Sequence, residues 1–318
     1  MTESAPQLSV VAPLYNEARN LRLLIARLVP VLEGLGLPFE VVFVDDGSKD
    51  ATLDVLREVC AADARLTAIS FSRNFGKEIA IAAGLDAARG AVVVIMDSDL
   101  QHPPEVIPQF VAKWREGYQN VYGQRQDRDG DPHLRTVLTR LFYRIIDSFG
   151  DVAMPAGAGD FRLLDRKAVD ALLEMRERAR FNKGLFAWIG FKTIGVPFVV
   201  EQRAHGVSTF NFARLMSFAL DGIMSFSSLP LKVWTFVGLA ISGVAMAMAL
   251  WFFVKTMILG VDTPGFATLI VSIAFFSGVQ LISLGVIGEY IARIFAEVKG
   301  RPLYLVAERI GAPPKGKG

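Results

Sequence analysis

The chain has 318 residues, 52% apolar and 21% charged, with 34 lysines and arginines against 32 acidic residues. A net charge of only +2 and the high apolar share exclude intrinsic disorder and argue against a basic nucleic-acid-binding protein. A single cysteine, Cys60, excludes an internal disulfide framework and a cysteine-clustered zinc site.

The first part of the chain alternates strand-like and helix-like patterns. Strands are predicted at 8–15, 39–44, 66–72, 91–96 and 121–124, and helices at 18–33, 50–61, 77–88 and 105–116. Repeated β-α-β units predict a doubly wound, mostly parallel α/β sheet covered by helices. In such sheets ligands bind beyond the carboxyl ends of the strands.

Polar side chains follow four of these strands, where that binding edge is expected. They are Tyr15, Asn16 and Glu17 after the first, Asp45 and Asp46 after the second, residues 72–74 after the third, and Asp97 and Asp99 after the fourth. Asp46 and the 15–17 turn are candidates for hydrogen bonds to a ribose or a base. The sequence lacks both the G-x-G-x-x-G and the G-x-x-x-x-G-K-[ST] patterns, which excludes the usual dinucleotide and P-loop sites.

The Asp97-x-Asp99 pair indicates a divalent metal site. Residues i and i+2 of an extended chain project to the same face, and a hard cation relieves the repulsion between two carboxylates. Gln101, again two residues on, adds a neutral oxygen, and phosphate oxygens can complete the coordination. The alternative is an acidic turn in which Asp99 caps a helix. His102 is expected to be a neighbouring loop residue rather than a ligand.

Two segments near the C-terminus carry no charged residue: residues 233–254, over 22 positions, and residues 266–288, over 23. Each exceeds the roughly 20 residues that cross a bilayer, so we expect a two-helix membrane hairpin; two buried helices of a soluble core are the alternative. Residues 233–318 hold seven basic and four acidic groups, and the short N-terminus is polar without a signal peptide. The positive-inside tendency therefore places the tail and the large N-terminal region in the cytoplasm.

Six segments, taken in order, resemble one family. They are VAPLYNE (11–17), VDDGSKD (44–50), SRNFGKE (72–78), MDSDLQHPPE (96–105), GDFRLLDR (159–166) and RPLY (301–304). The family is the family-2 glycosyltransferases of the GT-A fold, in the branch similar to dolichol-phosphate-mannose synthase, and especially its bacterial polyprenyl-phosphate members such as bactoprenol glucosyltransferases. The resemblance implies a GT-A catalytic domain at 1–210. Helical spacing of apolar residues predicts an amphipathic juxtamembrane region at 211–232, which lies on the membrane surface or, equally, packs against that domain. The transmembrane hairpin at 233–288 and an amphipathic, basic cytoplasmic tail at 289–318 follow.

The resemblance also implies a reaction. One sugar, first of all glucose from UDP-glucose, would pass with inversion to undecaprenyl phosphate at the cytoplasmic face of a bacterial inner membrane, with Mg²⁺ or Mn²⁺ as cofactor. GDP-mannose or a modified UDP-sugar is the alternative donor. A processive polysaccharide synthase would need more spans and a Gln-x-x-Arg-Trp motif, and a non-catalytic membrane scaffold would be expected to carry charges within its spans. A homo-oligomer, a tetramer by resemblance, is expected, with no nucleic-acid partner.

Site residues follow from the matching motifs. The implied catalytic residues are Asp99 and Asp160, and the implied metal ligands are Asp97, Asp99 and Gln101. The implied nucleotide-binding residues are Pro13, Tyr15, Glu17, Asp46, Arg73, Asp97 and Ser98, and the acceptor-phosphate arginines are Arg125, Arg203 and either Arg135 or Arg140. The alternatives are a loop acid at Asp160 paired with Arg162 or Arg166, and solvent-exposed helix positions for Arg135 and Arg140.

Two positions depart from the family pattern. Lys183 stands where members of the family often have arginine, and Thr209 stands where they often have lysine. The second departure removes one positive charge expected to face phosphate, unless His205 or Arg214 supplies it.

Overall fold

A computed structural model describes residues 6–125, 158–178, 180–199, 229–259 and 265–311. The chain divides into two compact units. The first contains Met1–Ala219 together with Arg301–Gly318, and the second contains Leu220–Gly300.

The first unit contains the sheet and its covering helices. The strands are β1 (Leu8–Leu14), β2 (Phe39–Asp45), β3 (Leu66–Phe71), β4 (Val92–Ile95), β5 (Asn120–Arg125), β6 (Ala158–Asp165), β7 (Thr193–Phe198) and β8 (Val306–Ile310). The helices are α1 (Ala18–Gly34), α2 (Thr52–Ala62), α3 (Lys77–Ala87), α4 (Ile107–Arg115, after a 3-10 turn at Pro104–Val106), α5 (Arg166–Glu174) and α6 (Asn182–Trp188).

The described strands form one eight-stranded sheet in the order β7-β5-β6-β4-β1-β2-β3-β8. Strands β1–β2, β1–β4, β2–β3 and β5–β7 pair in parallel, whereas β6 runs antiparallel to β4 and β5, and β8 runs antiparallel to β3. Every residue of β1, β2 and β4 is buried, as expected of central strands covered on both faces. The α/β class and the mostly parallel sheet predicted from the sequence are confirmed.

Helices on the sheet follow the predicted periodicity. The buried side of α1 presents Leu21, Leu24, Leu28 and Leu32, at the spacing of one helix face. Helix α3 lies so close to β1 that a Cβ on Gly84 would stand 2.1 Å from Val11 Cγ1. The absence of a side chain at Gly84 therefore lets α3 pack tightly against β1.

Strand β8 corrects the predicted domain boundaries. Residues 289–318 were expected to form a separate tail, but Val306–Ile310 pair with β3 and complete one side of the sheet. The strand is short and half-exposed, so its alternating sequence lacks the continuous apolar run that marks the central strands. Residues 289–298 continue the preceding helix.

The second unit consists of two long helices, α7 (Leu229–Leu259) and α8 (Phe266–Val298). Their apolar side chains are widely exposed, for example Phe236 at 73%, Trp251 at 69% and Met257 at 75%. Within the described residues, one segment is long and apolar enough to cross a membrane, the 24 residues Phe275–Val298 with a mean hydropathy of 1.4. The expected pair of spans at 233–254 and 266–288 therefore remains a prediction. Residues 211–228 of the expected juxtamembrane region lie outside the described part of the chain.

Candidate active site

The strand directions bring several chain segments to one edge of the sheet. The carboxyl ends of β1 to β5 meet the amino end of β6 there, because β6 is antiparallel to both of its neighbours. Ile95 of β4 pairs with Arg162 of β6, so the same register two residues further on brings Asp97 beside Asp160. Two acids that are 63 positions apart in the sequence thus become neighbours.

Lys77 joins these two acids. Its Nζ lies 2.6 and 2.9 Å from the carboxylate oxygens of Asp97 and donates to Asp160 Oδ2 at 2.7 Å. The Asp160 side chain is only 10% exposed and that of Asp97 25%. As the first residue of α3, Lys77 is positioned by the packing of that helix on the sheet.

Mutual attraction keeps Lys77 and Asp160 charged. Burial opposes the charge of Lys77, but the adjacent carboxylates of Asp97 and Asp160 raise its pKa. Burial likewise opposes the charge of Asp160, but Lys77 and Lys183 lower the pKa of its carboxyl group well below the usual range. A carboxylate with so low a pKa is a weak proton acceptor at neutral pH.

The Asp97–Gln101 turn is held by a hydrogen bond between two of its own residues. Asp99 Oδ1 accepts a hydrogen bond from the Gln101 amide at 3.1 Å, and the buried Leu100 has a φ of +62°, in the left-handed region that favours glycine. Such local strain concentrates at functional sites. Ser98 is buried beneath the turn.

Unused acceptor capacity remains at this edge. Asp160 Oδ1 is buried and has no hydrogen-bond partner among the described residues. Buried oxygens without a partner are rare and indicate a ligand, ion or water. The described residues contain no group of three or more His, Cys, Asp or Glu side chains arranged to hold a metal ion, so a cation here would take Asp97 and Asp99 together with ligands from its substrate.

His102 supports the turn rather than facing a metal. Its Nδ1 accepts a hydrogen bond from the Asp97 amide at 3.2 Å, and its ring stacks on Phe161 at 4.8 Å. Burial lowers the pKa of the imidazole, which fits a neutral ring that accepts at Nδ1.

The loops after β2 and β3 are fastened to one another. Asp46 accepts the amides of Phe75 at 2.6 Å and Gly76 at 2.9 Å, and burial raises the pKa of its carboxyl group. Gly47 has a φ of +67°, and a Cβ there would lie 2.5 Å from the carbonyl carbon of Arg73. The glycine therefore allows the two loops to touch just before Lys77.

Comparison with known proteins decides the family. The model of "Glycosyl transferase family 2" matches residues 9–173, which is more than half of the chain. The chain belongs to glycosyl transferase family 2. The edge described above is therefore the candidate active site of a glycosyltransferase.

Relatives extend the similarity over nearly the full length of the glycosyltransferase. An uncharacterized glycosyltransferase of Synechocystis is 50% identical over 305 residues, covering 96% of both chains. The SfII prophage-derived bactoprenol glucosyl transferase of Shigella flexneri is 39% identical over 300 residues, 94% of this chain and 97% of its own. A prophage bactoprenol glucosyl transferase homolog of Escherichia coli is 39% identical, covering 94% of this chain and 98% of its own.

The structure brings some of the predicted site residues of the glycosyltransferase together. Asp97 and Asp160 share Lys77, and Asp99 and Gln101 lie in the adjoining turn. Asp160 is not paired with Arg162 or Arg166, the two partners expected if it were only a loop acid. The Arg162 guanidinium donates to the Gly159 carbonyl at 2.5 Å and lies over the Phe186 ring, and Arg166 donates to the carbonyls of Ala88 and Gly90.

The predicted nucleotide-binding residues differ in their exposure and in the contacts that they make. Tyr15 is 43% exposed at the end of β1, and the guanidinium of the exposed Arg73 lies 4.0 Å from the centre of the Phe75 ring. Pro13 is buried inside β1, and Asp46 is engaged by backbone amides. The Glu17 carboxylate accepts from Asn20 Nδ2 at 2.6 Å.

Of the predicted acceptor-phosphate arginines, the exposed Arg125 ends β5 at the edge where Asp97 and Asp160 lie. Arg135, Arg140 and Arg203 lie outside the described residues, as do His205, Thr209 and Arg214.

Two charged residues of the site were missed from the sequence, although both lie in the quoted motif SRNFGKE. They are Lys77 and its neighbour Glu78, which accepts the Asn182 amide at 2.7 Å. Burial and then the nearby Asp160 charge raise the pKa of Glu78 to about 7. Their position at a helix start just beyond the third strand was the available signal, since that places them at the binding edge.

Proposed function

We propose that the enzyme transfers glucose from UDP-glucose to undecaprenyl phosphate, with inversion, at the cytoplasmic face of a bacterial inner membrane. The supporting observation is the similarity to bactoprenol glucosyl transferases, which continues past residue 173, where the family match ends, through both long apolar helices. A lipid acceptor accounts for similarity that includes both the family-2 region and the two apolar helices, because its phosphate lies at a membrane surface while its chain stays in the bilayer.

The charges of the site suit a phosphate nucleophile. A phosphate monoester is already anionic near pH 7, with a second pKa near ~6, so it needs little help from a base. A strongly ionised Asp160 is therefore better suited to orienting the sugar, through its buried Oδ1, than to removing a proton. Asp99 is the second proposed catalytic residue, acting through the metal.

A divalent cation, Mg²⁺ or Mn²⁺, is part of the proposal. Asp97 and Asp99 would hold it, and when bound it would stabilise the negative charge of the leaving diphosphate. Lys77 is the residue that neutralises Asp97 and Asp160 in the structure described here.

We propose two membrane crossings, formed by α7 and α8. The chain leaves the first unit after residue 219 and returns to it at residue 301, and β8 then pairs with β3 of the same sheet. A chain whose two ends belong to one folded domain crosses a membrane an even number of times. The lengths of α7 and α8, 31 and 33 residues, exceed the roughly 20 needed for a span.

The acceptor phosphate would be held by Arg125, Arg203 and one of Arg135 and Arg140, because guanidinium groups bind phosphate in a bidentate manner. A homo-oligomer, specifically a tetramer, is also proposed. Particle mass in nanodiscs tests it, and a monomeric mass would refute it.

A donor and acceptor panel tests the function. Full-length enzyme in nanodiscs with Mg²⁺ is given UDP-glucose, other UDP-sugars, GDP-mannose or dTDP-glucose, with or without undecaprenyl phosphate, and nucleotide release is measured. We expect UDP release from UDP-glucose only when the lipid phosphate is present. Release from GDP-mannose or a modified UDP-sugar instead would establish the alternative donor. Lipid-independent release from every donor would refute the proposed acceptor.

A further inference from the structure

The RPLY segment, which lies beyond the family match, begins a strap that fastens the first unit on its β3 side. We use the name C-terminal strap for residues 301–311. Its strand β8 pairs with β3, its Arg301 carbonyl accepts from Arg178 Nε at 3.0 Å, and its Leu305 carbonyl accepts from the Ser72 amide at 3.0 Å. The last of these contacts lies at the first residue of the loop that leads into the active site.

Tyr304 of the strap contacts the last residue of β3 and a residue near the far end of α3. Its ring stacks on Phe71, the last residue of β3, with centroids 5.0 Å apart and planes inclined by 22°. Its hydroxyl donates to Asp86 Oδ2, near the end of α3, at 2.9 Å. Asp86 is also paired with Arg176, at 2.7 Å, so the hydroxyl joins an existing ion pair.

The β3–α3 loop, residues 72–76, directly follows Phe71. Phe75 packs edge-on against Phe71 at 5.6 Å, which continues the aromatic contact from Tyr304 into the loop. The next two groups, the amides of Phe75 and Gly76, are held by Asp46. Lys77 follows directly and bridges Asp97 and Asp160.

We propose that Tyr304 is a positioning residue, which holds the β3–α3 loop so that Lys77 stays between Asp97 and Asp160. The Tyr304–Phe71 stack, the Phe71–Phe75 contact and the Asp46 clamp form a continuous path of described contacts from the strap to Lys77. The part of this inference that concerns catalysis rests on the proposed function of the Asp97–Asp160 edge, whereas the part that concerns the loop does not.

Three variants of the full chain in nanodiscs test the inference. Tyr304→Ala removes the stack and the hydrogen bond, and Tyr304→Phe removes only the hydrogen bond. Arg57→Ala is the matched control, because Arg57 of α2 pairs with Glu308 of the same strap, and its other described ion pair is with Asp54 of α2 rather than with the loop or α3. The primary measurement is amide hydrogen exchange of residues 72–77 without donor or acceptor, compared with exchange in β1. The second is kcat and KM for the donor.

We expect Tyr304→Ala to speed exchange at Phe75 and Gly76 by about tenfold, the change expected when a stacked aromatic pair is lost, while β1 stays protected. It should lower kcat with little effect on the donor KM. Tyr304→Phe should restore both values and Arg57→Ala should leave them unchanged. The inference is overturned if loop exchange in Tyr304→Ala equals that of the wild type. It is also overturned if Tyr304→Ala speeds exchange in β1 as much as in the loop, or if Arg57→Ala speeds loop exchange as much as Tyr304→Ala does. If the exchange pattern holds but no donor reacts, the proposed function fails and the positioning of the loop stands.

Discussion

Replacing Lys77 by methionine removes the cation that, among the described residues, bridges Asp97 and Asp160. Methionine keeps an unbranched, flexible apolar stem that is one atom shorter and carries no charge. The nearest oxygens of the two acids lie 2.6 and 2.7 Å from Nζ, so they are at most about 5 Å from one another. Two unit charges at that distance repel by about 3 kcal/mol at an effective dielectric constant of about 20, and the partial exposure of Asp97 reduces this to about 2 kcal/mol.

The sign of the pH dependence follows from the lowered pKa of Asp160 in the wild type. A depressed carboxyl pKa contributes stability that is present above the unfolded value, about 3.9, and is lost as the pH falls through the folded pKa. Without Lys77 that contribution disappears and repulsion replaces it. The variant should therefore be less stable than the wild type at pH 8, and the difference should shrink towards pH 4.

Thermal unfolding of the full chain in nanodiscs measures the effect. At pH 8 in EDTA, about 2 kcal/mol corresponds to a Tm lower by about 4–8 °C. Mg²⁺ should restore part of the loss in Lys77→Met and raise the wild-type Tm less, since the wild type already has a cation there. Lys113→Met, which breaks an exposed pair with Glu116, is the control and should shift Tm little. Equal Tm values for Lys77→Met and the wild type at pH 8 would refute the electrostatic reasoning.

Three further substitutions test other parts of the site. Gly47→Ala should lower the free energy of unfolding by at least about 1–2 kcal/mol, because its φ is +67° and the new Cβ meets the backbone of Arg73; unchanged stability would contradict the close loop contact. Glu78 has a pKa raised to about 7, so wild-type stability should fall as the pH rises from about 4.5 to 7, by at most about 3 kcal/mol. Glu78→Gln, which can still accept the Asn182 amide, should flatten that slope in unfolding measured at several pH values. An unaltered slope would mean that another group titrates. Asp99→Asn should reduce metal-dependent nucleotide release at least about a hundredfold, and full activity in EDTA would show that no metal is needed.

The central sheet could be predicted from the sequence because each central strand is a short, nearly uninterrupted run of apolar residues. Residues 91–96 predicted a buried central strand, and β4 is buried throughout. The polar residues after β4 lie at the carboxyl edge of the parallel strands for the same reason, as predicted. That assignment needed only the direction of the strands.

The ionic contacts of the site could not be predicted in the same way. The Asp97–Asp160 contact depends on the antiparallel register of β4 and β6, and Lys77 reaches both acids only because α3 packs closely on β1. Asp46 was expected to meet a nucleotide, yet its oxygens accept backbone amides from a neighbouring loop. Such contacts depend on tertiary packing. Residue type alone did not determine which of several possible partners each charged group would contact.

Strand β8 also places a condition on how the protein is made. Synthesis delivers β8 only after both long apolar helices have been produced, so one side of β3 remains unpaired until then. Exposed edge strands promote association with other chains, and domains begin to fold during synthesis. The sheet therefore lacks β8 until residues 306–310 have been made, and a nascent chain stalled before them would present an open β3 edge to other chains.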